Sequence, residues 1–177
     1  MRSLVPLAAF AEVQQDVERA QTEGAKNAAP SGLGWSDIYL ARPPTIDYSA
    51  IPLRLRDAAA LLEKWFPRIL NFTATASAGF SPGVRDPYGS YETDAQCYGT
   101  GASCFIKLEH KESVVHGIWF EGQTDNREDM SRLRHGLMAL DAIVPSAIAD
   151  YWLSTSGAIG DQAFMDRYFD ALLSPDD

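Results

Sequence analysis

Apolar positions near the start of the chain recur at helical spacing. Leu4, Leu7 and Ala11 form one stripe and Phe10, Val13 and Val17 the adjoining one, so a first helix is predicted from about Leu4 to about Gly24. The segment from Gly24 to Ala50 is rich in Ala, Gly, Pro and Ser and reads as a long irregular strap. Trp35, Ile38 and Tyr39 are expected to anchor that strap on the body, because large aromatic rings are costly to leave in water. A second helix is predicted from about Pro52 to Phe66. Leu55, Ala58 or Ala59, Leu62 and Phe66 share one face, Pro52 suits a first turn, and Pro67 ends the run.

The period then changes. Phe72 to Ala78 alternates small and polar residues and predicts a strand. Gly79 to Gly101 is dense in turn residues and predicts a long loop, with a short ribbon over Ser90 to Tyr98. Two strands follow, Ser103 to His110 and Val114 to Glu121, and the short link between them makes an antiparallel hairpin. On the second strand Val114, His116, Ile118 and Phe120 should share one face. Met130, Leu133, Leu137, Leu140 and Val144 mark a helix that Pro145 stops, with an N-cap at Asp125 answered by Glu128 or at Asn126 answered by Asp129. Ala147 to Ser154 predicts another strand. A last helix after Gly160-Asp161 buries Phe164, Tyr168 and Leu172.

That order gives an α+β fold, a mostly antiparallel sheet with a central hairpin packed by N-terminal and C-terminal helices. Residues 1–177 form a single predicted domain, with 1–50 as helix and strap and 51–177 as the α+β body. The hairpin interrupts any βαβ progression, which excludes a parallel nucleotide-binding fold.

Charge narrows the functional classes. The 177 residues carry 15 Lys plus Arg against 24 Asp plus Glu, a formal net charge of −9, which argues against nucleic acid or an anionic membrane as partner and allows a basic protein. No apolar run approaches the roughly 18 residues of a membrane span. Leu4 to Ala11 mimics an export signal, but it contains Pro6 and gives way at once to Glu12, so a cytoplasmic protein is expected. In that compartment Cys97 and Cys104 should be free thiols; in an oxidising one their spacing could close a hairpin disulfide. With His110, His116 and His135 they make no zinc pairing, so neither metal nor cofactor is expected.

Catalytic patterns are sparse. Gly99-Thr100-Gly101-Ala102-Ser103 has glycines but no P-loop lysine, and no nucleophile-elbow motif occurs. One constellation suits a small hydrolase or thiol-dependent transferase: Cys104 as nucleophile with His116 as base, and Glu109 or His110 opposite. Against it, His116 shares its predicted face with apolar residues and reads as a core-edge histidine. Recognition features are richer. The Gly79 to Gly101 loop interleaves Tyr88, Tyr91 and Tyr98 with Asp86, Glu92 and Asp94, a mixture of rigid rings and anions suited to protein contacts. Seven acids lie between Asp141 and Asp177 against one base, Arg167, so the C-terminal part could steer a basic partner.

The run Val115-His-Gly-Ile-Trp-Phe-Glu-Gly, the helix from Arg127, the segment Ala149-Asp150-Tyr151-Trp152 and the closing Phe164-x-x-x-Tyr168-Phe169-x-x-Leu172 together resemble small α+β immunity proteins of bacterial polymorphic-toxin and type VI secretion loci. The resemblance spans about residues 103–173 and rests on aromatic placement and element order. It implies a non-enzymatic cytoplasmic protein that occludes the active site of a cognate toxin. Interfaces in that family vary with the toxin, so contacts are assigned from this chain's own residues: Asp86, Tyr88, Tyr91, Glu92 and Asp94 on the loop, and Glu121, Asp125, Glu128 and Asp129 around the helix entrance. A third class, an adaptor subunit of a phage or secretion assembly, predicts self-association instead.

Overall fold

The computed structural model describes residues 2–28, 37, 39–51, 53–73 and 91–173. Within them the chain forms a seven-stranded, wholly antiparallel sheet and four α-helices. The strands are β1 (Arg2–Pro6), β2 (Arg68–Thr73), β3 (Tyr91–Gly101), β4 (Cys104–Lys111), β5 (Val114–Gly122), β6 (Ser146–Asp150) and β7 (Thr155–Ala158). Their order across the sheet is β2-β3-β4-β5-β1-β6-β7. The helices are α1 (Phe10–Asn27), α2 (Leu55–Leu62), α3 (Arg127–Asp141) and α4 (Gln162–Leu173).

Alternation along the strands sorts the side chains into two layers. On one face Leu4, Ile106, Leu108, Ile118, Phe120 and Ile148 pack against α2, α3 and α4, whose buried stripes include Leu62, Leu133, Leu137, Phe164 and Tyr168. On the opposite face Val5, Ala147 and Ala149 pack against Val13 and Val17 of α1. Farther along that second face, Phe72, Ala95, Cys97 and Phe105 form a separate cluster with Trp119. The hairpin at the centre therefore has both surfaces covered, which is why Cys104 to Leu108 is buried without a break.

The α+β class and the central hairpin agree with the sequence. Asn126 is the N-cap of α3, its Oδ1 accepting from the Glu128 N–H at 2.9 Å and the Asp129 N–H at 3.4 Å. Other predicted boundaries shift. The first stripe is divided: Arg2–Pro6 is a strand inserted between β5 and β6, a turn of 3-10 helix covers Leu7–Ala9, and α1 begins only at Phe10 and continues past Gly24 to Asn27. Five residues are too few to separate a period of 3.6 from one of 2, and two waiting strand edges decide the matter. The helix predicted over Pro52 to Phe66 is shorter, at Leu55–Leu62. The short ribbon is an 11-residue strand, β3; the strand predicted over Phe72 to Ala78 overlaps β2 at Phe72 and Thr73, and its remainder, with residues 79–90 of the predicted loop, lies outside the described residues. The strand predicted over Ala147 to Ser154 ends at Asp150, because Asp150 Oδ1 accepts from the Trp152 and Leu153 N–H groups at 2.8 and 3.1 Å and residues 151–154 turn the chain into β7.

His116 does not lie on the core face. Glu109 pairs with Gly117 and His110 with Val115, so β5 carries one extra residue, a β-bulge at His116. The bulge reverses the alternation: Val115 is buried beside Ile118 and Phe120, and His116 is exposed.

Part of the predicted strap is visible as an irregular run over residues 39–51. Two carboxylates one turn apart on α1 hold it. Asp16 accepts from the Tyr39 hydroxyl at 2.5 Å, the Tyr151 hydroxyl at 2.9 Å and the Arg42 N–H at 3.3 Å, while Glu12 accepts from the Thr45 N–H and hydroxyl, both at 3.0 Å. Tyr39 is thus an anchor as expected; Trp35 and Ile38 lie outside the described residues. Burial pushes the Asp16 carboxyl pKa up, but the hydrogen bonds from Tyr39, Tyr151 and Arg42 and the charge of Arg19 outweigh it and leave it below the ordinary value. A carboxyl that binds its proton less readily folded than unfolded stabilises the fold above the unfolded pKa, about 3.9, and that stability is lost as pH falls through the folded value. Asp16→Asn should therefore show a smaller loss of urea stability between neutral pH and pH about 3 than the unsubstituted protein. Equal losses in the two proteins would show that the Asp16 clasp does not contribute.

Candidate functional site

Three element ends meet at one end of the sheet. There β5 ends at Gly122, β6 turns into β7 through Trp152 and Leu153, and α4 ends at Leu173. Between them lies a groove of about 480 Å³, lined by Arg2, Gly122 to Asp125, Trp152, Leu153 and Ala171 to Leu173. Trp152 is 71% exposed at its lip. Large aromatic side chains left that open beside a concave surface are the usual anchors of protein recognition.

The groove stands on a rigid ionic base. Arg2, buried on a central strand, donates through Nε to Asp150 Oδ2 at 2.9 Å and through Nη1 to Glu121 Oε1. The Tyr168 hydroxyl donates to the same Asp150 oxygen at 2.9 Å, and the Gly122 N–H donates to Glu121 Oε1 at 2.9 Å. Burial and the neighbouring Asp150 charge push the Tyr168 hydroxyl pKa far up, so it remains a donor. Since the other Asp150 oxygen holds the Trp152 turn, one carboxylate fixes Arg2, α4 and the exposed tryptophan together. Fully satisfied buried networks of this kind make the groups above them rigid.

The predicted contact residues divide between two places. Asp125, Glu128 and Asp129 do stand together, at the groove lip and along the first turn of α3. Asp125 and Glu128 are exposed, with Glu128 paired to Arg132, whereas Asp129 accepts from the Thr100 hydroxyl at 3.0 Å. Glu121 is spent on Arg2 and supports the groove from beneath. Glu92 and Asp94 lie elsewhere, since Asp94 and Thr100 are separated along β3 by about 20 Å at the usual strand rise. Both have internal work: Glu92 Oε2 lies 2.9 Å from Nζ of the buried Lys107, and Asp94 Oδ1 lies 2.9 Å from Arg68 Nη2. The Tyr91 backbone pairs with Thr73 at the start of β3. Asp86 and Tyr88 lie outside the described residues.

Much of the C-terminal acidity is also structural. Asp141 accepts from the Ser146 N–H at 2.7 Å, Asp161 from the Phe164 N–H at 3.1 Å, and Asp166 pairs with Arg134 at 2.5 Å. Trp152 and Leu153 were absent from the predicted contacts because an apolar pair in an alternating run reads as buried strand. The signal that could have found them is Asp150, whose side chain makes a turn from what the alternation continues as a strand.

The Cys104–His116 pairing is not assembled. Cys104 pairs with Gly122 at one end of the hairpin, six residues along β5 from His116, about 20 Å at strand rise. Burial also pushes the Cys104 thiol pKa up to about 12, away from the reactive thiolate form. Burial pushes the Cys97 thiol to about 12 as well. Cys97 and Cys104 are both free and sit in clusters on opposite faces of the sheet, so they do not bridge. Among the described residues no group of three His, Cys, Asp or Glu side chains could hold a metal ion. No helix among them is long and apolar enough to cross a membrane.

Compared with protein-family models, with curated proteins and with solved structures, the chain matches none.

Proposed function

We propose that this chain is a protein-binding module that neutralises a cognate antibacterial toxin in the cytoplasm of the producing cell, gripping it through the groove at the Trp152 end of the sheet. The observation that carries the reading is Trp152 itself, 71% exposed beside a concave apolar surface and held by a buried network. Asp125 and Glu128 on the adjoining lip, and the net charge of −9, favour a toxin with a basic surface around its active cleft. Occlusion of that cleft is the inhibitory step. The immunity-protein resemblance of residues 103–173 supplies the class of partner, and the groove supplies the contact.

The test begins with recovery of the tagged protein from its native cells and identification of a stoichiometric partner carrying a toxin domain. Calorimetry with that domain should then show Trp152→Ala weakening binding by about 30-fold, the effect of losing an interface anchor worth about 2 kcal/mol. Asp125→Lys should slow association, with an effect that shrinks as salt rises. Recovery of no toxin-bearing partner would overturn the immunity reading. Unchanged affinity in Trp152→Ala would move the contact away from the groove.

A further inference from the structure

The α1-covered face of the sheet holds a second hollow, of about 390 Å³. Its floor exists because the residues there are small: Ser3 on β1 pairs with Trp119 on one side and with Ala149 on the other, and Gly117 lies two residues along β5. A larger side chain at Ser3 would fill the space between Trp119 and α1. Trp119 forms one wall and is fixed in place, its Nε1–H donating to Glu109 Oε1 at 2.9 Å and its ring meeting Phe72 and Phe105 edge-on at 5.1 and 5.3 Å. Val13 of α1 and Pro43-Pro44 of the strap form the other. The volume exceeds twice the roughly 150 Å³ that accommodates a single benzene ring.

His116 and Asp47 are among the polar groups that line it. The bulge in β5 carries His116 out of the core to this hollow, where it lies with Asp47 of the strap. Bulges recur beside binding sites because they re-aim one side chain. Asp47 is held by neutral donors, the Ser49 N–H at 2.8 Å and hydroxyl at 2.5 Å, and makes no ion pair with Lys or Arg among the described residues. The Ser49 hydrogen bond, with a smaller contribution from the nearby His116, keeps its carboxyl pKa below the ordinary value. Arg42 lines the cleft as well, and its exposed guanidinium shares the cleft with Asp47; Asp16 and Arg19 line the adjoining hollow, and Glu109 is held by Trp119. Lys107 lies between Glu92 and Glu109 and does not offset Asp47. Ser3 and His116 are about three strand residues apart, near 10 Å, so Ser3, His116 and Asp47 do not form a nucleophilic triad.

We propose that this cleft binds a small aromatic amine, its rings lying between Trp119 and α1 over the small-residue floor and its ammonium group paired with Asp47. The carboxylate selects the cationic head, and the apolar walls remove the ring from water.

Calorimetry on the full chain with tryptamine and indole-3-acetate tests it, since the two probes share a ring and carry opposite charges. Tryptamine should bind at least about tenfold more tightly, the effect of one charge-assisted contact. Asp47→Asn should remove that preference, and Ser3→Leu should abolish binding of tryptamine at an unchanged melting temperature. Absence of tryptamine binding at millimolar concentration, equal affinity for the two probes, or a preference that survives Asp47→Asn would overturn the assignment. If Ser3→Leu fails to fold, Asp47→Asn on the exposed strap decides the question. The cleft and the Trp152 groove share no lining residue, so failure of either proposal is read separately from the other.

Discussion

Asp150→Ala should lower the melting temperature by about 10 °C, because it leaves the buried Arg2 guanidinium without the fully buried one of its two carboxylate partners. Removing one partner of a buried pair costs about 3–5 kcal/mol, and a domain of this size loses about 2–4 °C per kcal/mol. Tyr168 loses its acceptor at the same time, and the Trp152 and Leu153 N–H groups lose theirs. The cost is thus spread over β1, α4 and the β6–β7 turn. Replacing both charges, Arg2→Met with Asp150→Leu, should cost less than the sum of the single changes Arg2→Met and Asp150→Leu, since neither fully buried charge is left facing a missing partner and the part-exposed Glu121 keeps its Gly122 N–H. Differential scanning calorimetry of Asp150→Ala, Arg2→Met, Asp150→Leu and the double variant checks this. A melting temperature within about 2 °C of the parent for Asp150→Ala would show that the network adds no net stability.

Gly99→Ala should be comparably damaging for a steric reason. A Cβ on Gly99 would lie 2.3 Å from the Cys104 carbonyl oxygen and 2.6 Å from the Phe105 Cα, both backbone atoms of the neighbouring strand. No rotamer change relieves such a contact, so β3 must move away from β4 beside the bulge at Thr100, at a cost of about 3 kcal/mol or more. Gly24→Ala is the matched control. It lies inside α1 with nothing within 4 Å of the added atom, and it should stabilise by about 0.5–1 kcal/mol through helix propensity. Urea denaturation should therefore move in opposite directions for the same chemical change. A Gly99→Ala midpoint equal to that of the parent would show that the strands accommodate the methyl group.

The first effect depends on Arg2 and Asp150, 148 positions apart, and the second on strand register, and sequence reasoning stopped at the same boundary. Leu4 and Val5 fit a helical stripe as well as they fit a strand; pairing with Ile118 and Ile148 on either side of Leu4 is what makes Arg2–Pro6 a strand. The alternation of β5 was legible, but the extra residue at His116 was not, because a bulge shows only when the partner strand is in register beside it. The acidic residues were visible as charge. Their employment was not: Glu92 faces a buried lysine, Glu121 a buried arginine, and only Asp125 and Glu128 of the helix entrance remain turned outward.

The sequence by itself determined the α+β class, the central hairpin, an α3 start at Asp125 or Asn126 and the apolar stripes of α3 and α4. Each is a local pattern, set by hydrogen bonding and periodicity within about 15 consecutive residues. Tertiary structure alone decided that β1 lies between β5 and β6, that Cys104 and His116 stay apart, and that the Trp152 groove and the Trp119 cleft exist. Those features are made by strand register and by side chains up to 148 positions apart, as with Arg2 and Asp150, and burial of a shared core selects the register that brings them together.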